Sequence, residues 1–143
     1  MKRNMKSLAV LQRELAKFFA VPEPREKGFR RKRLSKKDIA AMALEGFFEY
    51  LGDRLDMQDT PAAEKLYEEV RNMPEDLLAE DMLSSLEKLL VENHPQGKRI
   101  FTFLRNRVPE RLGRAYAILR LFQDTSWVLE DLEEDYQYYR RNS

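Results

Sequence analysis

The chain has 143 residues, 43% of them hydrophobic and 36% charged, with no cysteine, one histidine and a formal net charge of +1. That length suits one domain with a real core, and the composition is too apolar for a disordered chain and too charged for a membrane protein. The lack of cysteine excludes a disulfide framework and a thiolate metal site, leaving carboxylates and His94 as the available metal ligands.

In the first twenty residues, Leu8, Leu11, Leu15, Phe18 and Phe19 recur at helical spacing and predict an amphipathic helix over roughly 5–20. Gln12, Arg13 and Glu14 interrupt the apolar core that a secretory signal would need, and nowhere do about 18 apolar residues run together. An intracellular, cytoplasmic protein is the expectation. "VPEPREKG", residues 21–28, reads as a linker, because Pro22 and Pro24 favour extended backbone and Gly28 permits a turn. We therefore expect a single domain, 1–143, whose residues 1–28 form a semi-detached helix and linker.

Ser35 is a good N-cap for the next helix, with Asp38 placed three residues on for a capping box, and the pattern runs to about Leu55. At 100° per residue its apolar side chains cover an arc of about 240°, and only Asp38, Glu45, Glu49 and Gly52 make a clearly polar face. So wide an arc predicts a central helix packed on two sides, or one that also meets a second subunit in a homodimer or larger oligomer, with Leu44 or Phe48 at or near the contact. The opening "LSKKDIAAMALEG" resembles the first helix of a helix-turn-helix, but the stripe continues through Phe47, Phe48 and Tyr50 without the turn that a recognition helix requires.

Thr60 and Pro61 supply an N-cap and a first-turn proline for a third helix with Leu66, Tyr67 and Val70, and Pro74 opens a fourth with Leu77, Leu78, Met82, Leu86, Leu89 and Leu90. "NHPQG" ends that helix. Ile100, Phe101, Phe103 and Leu104 mark a short fifth element, and Pro109 starts a long pattern to Tyr139 that Asp124, Thr125 and Ser126 can divide in two. No alternating β-branched run occurs, so the predicted fold is all-α, a bundle of five to seven helices.

The near-zero net charge hides alternating blocks. Residues 1–37 carry 13 Lys/Arg against 3 acids, 38–95 carry 4 against 15, and 98–120 carry seven cations against Glu110 alone. The densest stretch, "GFRRKRLSKKD", places Arg30, Arg31, Lys32, Arg33, Lys36 and Lys37 just before and within a helix start, where the dipole favours acids instead. Such a block repels itself unless an anion meets it. Phosphate is one candidate, with helix N-terminal amides as extra donors, and Arg107, Arg111 and Arg114 offer further planar forks that suit phosphate. The chain's own acidic helices, within the subunit or across an oligomer, are a second candidate, because arginine is also the preferred partner of carboxylates. A solvated cationic face or a nuclear-targeting signal is a third reading.

Catalytic signatures are missing. His94 lacks the partners of a triad or zinc site, and the five glycines are too scattered for a phosphate loop. Carboxylates four apart, such as Glu45 and Glu49, share helix faces, but so acidic a segment supplies such pairs by chance. The sequence therefore leads to a non-enzymatic helical accessory protein that contacts a nucleic-acid backbone, DNA or RNA, through 25–37 and 98–120. It is expected to need no metal or cofactor. A protein-only adaptor or scaffold ranks second, and a carboxylate/magnesium-dependent hydrolase third.

Overall fold

The computed structural model describes residues 33–57 and 61–142. These form six packed helices: α1 (Lys36–Asp56), α2 (Pro61–Val70), α3 (Glu75–Asn93), α4 (Gly97–Arg107), α5 (Pro109–Phe122) and α6 (Thr125–Arg141), with no strand among the described residues. The all-α bundle expected from the sequence is the observed architecture. The helix expected over 5–20, the linker 21–28, Thr60 and the cations Arg30, Arg31 and Lys32 lie outside the described residues.

The helix ends follow local chemistry. Ser35 Oγ accepts from the Asp38 amide at 3.0 Å while Asp38 Oδ2 accepts from the Ser35 amide at 3.4 Å, a reciprocal capping box that fixes the start of α1. Pro74 stands one residue before α3 in extended backbone, and Pro109 is the first residue of α5, where a missing amide leaves no helical bond unmade. The last two helices do separate near Asp124. Gln123 takes a left-handed conformation, φ 54°, at the end of α5, and Asp124 caps α6 by accepting from the Trp127 amide at 3.0 Å.

Packing centres on α1 and α5, the most extensive helix pair in the bundle. Their backbones approach where two glycines face the opposing chain. A Cβ on Gly46 would overlap the Glu110 carbonyl, and one on Gly113 would overlap the carbonyl of Ala43. Both helices are apolar around much of their circumference, which suits elements surrounded by others. Leu44 and Phe48, expected at a subunit contact, are 0% and 2% exposed. They belong to one continuous core with Leu51, Leu66, Met82, Leu86, Leu104, Tyr116 and Leu132, so the chain's own helices cover the arc that suggested a dimer.

Candidate nucleic-acid interface

The two basic blocks have different surroundings. Lys36 and Lys37 are the first two residues of α1, and both are exposed, as is Arg33 just ahead of the cap. Asp38, in the first turn of α1, is turned to the Ser35 amide by the capping box. Among the described residues, Arg33, Lys36 and Lys37 have no carboxylate within ion-pair distance. Their charges add to the positive end of the α1 dipole instead of offsetting it.

Four of the seven cations of the second block meet carboxylates of the acidic helices. Arg111 grips Asp135 with both arms of its fork, Nε to Oδ2 at 2.9 Å and a terminal nitrogen to Oδ1 at 3.0 Å. One turn along α5, Arg114 reaches Asp131 on α6 at 2.7 Å while its guanidinium lies 5.6 Å from the Tyr50 ring centre. Arg120 binds Glu69 of α2 at 2.6 Å and donates to the Tyr116 hydroxyl at 2.8 Å, and that hydroxyl donates to Asp81 of α3. Lys98 of α4 reaches Glu87 of α3 at 2.6 Å. Arg111 and Arg114, expected at phosphate, are thus held by carboxylates of α6. Arg107, the third of that group, lies over the Phe103 ring at 5.2 Å. Phe103 packs edge-on against Tyr136, and Arg140 covers the Tyr136 ring at 5.3 Å, so that cations cap both ends of an aromatic pair between α4 and α6.

Burial sets the protonation of these groups. It pushes the Asp135 carboxyl up from the ordinary range, and the Arg111 fork pulls it back. Burial also opposes the Arg111 charge, but the bond to Asp135 and the charges of Asp135, Tyr139 and Asp131 together outweigh it and leave Arg111 above its ordinary value. The two shifts point to opposite preferences for Asp135. The bidentate geometry favours the charged form, so the pair is ionised at neutral pH. Tyr116 is pushed up to about 12 by burial and by its bond to Asp81, which keeps its hydroxyl a donor.

A second acidic feature joins residues distant in sequence. Glu110, in the first turn of α5, is raised above its ordinary value by burial and by Glu45 and Glu49 across the α1 contact, and its Oε1 is buried without a hydrogen-bond partner. Glu45 is raised too, by partial burial and by Glu49. The spacing of Glu45 and Glu49 is visible in the sequence; the approach of Glu110 depends on the Gly46 contact. No group of three or more metal-ligating side chains among the described residues is placed to hold an ion. His94 ends α3, where its Nδ1 accepts from the Gln96 amide at 2.9 Å and its Nε2 lies 3.5 Å from Glu133 on α6. No described helix is long and apolar enough to cross a membrane.

Comparison with known proteins supplies no identity: no family model matches the chain, and neither does any curated protein or solved structure.

Proposed function

We propose that the protein is a non-enzymatic accessory protein of the cell interior that contacts a nucleic-acid phosphate backbone through the basic block at the start of α1. The observation that carries this reading is the contrast between the two blocks. Four cations of 98–120 are matched by Asp131, Asp135, Glu69 and Glu87, whereas Arg33, Lys36 and Lys37 are exposed and without carboxylate partners among the described residues. Arg30, Arg31 and Lys32 extend the same charge upstream. A concentrated positive potential at a helix N-terminus attracts phosphate by charge and by unsatisfied amides, without reading bases.

The test is a salt-dependent titration of labelled oligonucleotides with the full chain and with R33Q/K36Q/K37Q. If the block binds phosphate, affinity falls similarly on all sequences, and the slope of log affinity against log salt shrinks by about 0.7–0.9 for each phosphate that is no longer neutralised. The melting temperature stays close to wild type, because the three side chains are exposed. Wild-type protein that shows no salt-sensitive binding to any polynucleotide refutes the reading and leaves the protein-only adaptor.

A further inference from the structure

At the corner where α1 ends, α5 ends and α6 begins, large apolar side chains reach the surface together. Phe122 and Trp127 are each 39% exposed, and their rings pack 5.3 Å apart. Arg54, in the last turn of α1, lies over Phe122 at 5.1 Å, and Met57 just beyond it is 51% exposed. Aromatic side chains with an arginine and a methionine form the usual anchor composition of a protein contact. The exposed acids near it along the chain are Asp53 and Asp56 on α1, Asp124 at the α6 cap, and Glu130 one turn beyond Trp127, while the exposed Arg120 is paired with Glu69. The site therefore suits an occupant with apolar residues at helical spacing and a positive charge.

The chain contains such a segment. Residues 1–20 carry Leu8, Leu11, Leu15, Phe18 and Phe19 among five Lys/Arg and one acid, Glu14. We propose that residues 5–20 of the same chain dock on the Phe122–Trp127 patch. Reach permits it. From residue 20 to residue 33 the backbone can extend about 43–47 Å, and α1, which separates residue 36 from the patch, is about 31 Å long. Tyr138, the exposed member of another aromatic pair with Tyr139, is followed by Arg140 and Arg141, which repel a cationic segment.

Trp127 is the one tryptophan in the chain, so its fluorescence reports on the patch in the full-length protein. Wild type is expected to show blue-shifted emission protected from acrylamide. L11D/L15D, which places charge in the docking face, loses both the shift and the protection. D53K/E130K, which reverses the exposed rim while leaving Leu11 and Leu15 intact, loses them as well. Identical emission and quenching in wild type and L11D/L15D overturns the proposal. Protection that disappears on dilution assigns the patch to the N-terminal segment of a second copy and overturns docking within one chain.

Discussion

Alanine at Gly46 and at Gly113 tests the α1–α5 contact that organises the bundle. A Cβ at Gly46 would stand 2.8 and 2.9 Å from the carbonyl carbon and Cα of Glu110, and one at Gly113 would stand 2.8 Å from Ala43 C and Phe47 N. Ordinary contact begins at 3.4 Å, and the carbonyl oxygens lie closer still. The obstacles are backbone atoms, which cannot swing aside as a side-chain end can. The helices must part by roughly an ångström, a gap that forfeits a quarter to a half of the dispersion energy between the atoms it separates. Overpacking of this kind costs about 1–3 kcal/mol, and the rigid backbone places it near the upper end. Alanine recovers about 1 kcal/mol of helix propensity. The expected net loss is about 2 kcal/mol per substitution, a fall of roughly 8 °C in Tm at about 4 °C per kcal/mol for a chain of this size. Both substitutions open the same interface, so G46A/G113A should cost less than the sum of the singles. Urea and thermal denaturation of the three variants measure this. An unchanged or higher Tm in G46A, as propensity alone requires, refutes the reasoning.

Glu110→Gln should raise Tm at neutral pH. The folded carboxyl lies above its ordinary 4.5, so the folded state holds its proton more tightly, and that contribution is complete below 4.5 and lost as pH rises through the folded value. The gain from glutamine should therefore shrink toward acid pH; a gain independent of pH argues against burial of the charge. Arg111→Met should cost on the order of 2–4 kcal/mol, because it leaves Asp135, 8% exposed, without its partner, whereas R111M/D135L should be much closer to wild type. Equal losses in the single and double variants in urea denaturation would show that the pair contributes packing and not charge compensation.

The helix pattern was legible because it is local. Ser35 with Asp38, Pro61 and Pro109 act within one turn of the helices they start, and apolar spacing located the helical stretches. Even the division near Asp124 follows from a capping side chain that reaches only three residues, to the Trp127 amide. Periodicity gives the breadth of an apolar face but not what covers it. The 240° arc of α1 fits a second subunit as well as neighbouring helices; it is α5, lying against it through Gly46 and Gly113, with the rest of the core, that buries Leu44 and Phe48.

The charge blocks divide in the same way. The sequence determines that Arg111 and Arg114 lie one turn apart on one side of a helix, and that five of the six residues 130–135 are acids. Only the packing of α6 against α5 brings Asp135 and Asp131 to those two arginines, across 24 and 17 residues. The packing of α1 against α5 likewise sets Glu110 beside Glu45 and Glu49, while Lys36 and Lys37 stay exposed. A charge pattern along a chain fixes the cations and acids present, but ion pairing falls off over a few ångströms, so the partner of each is chosen by tertiary contact.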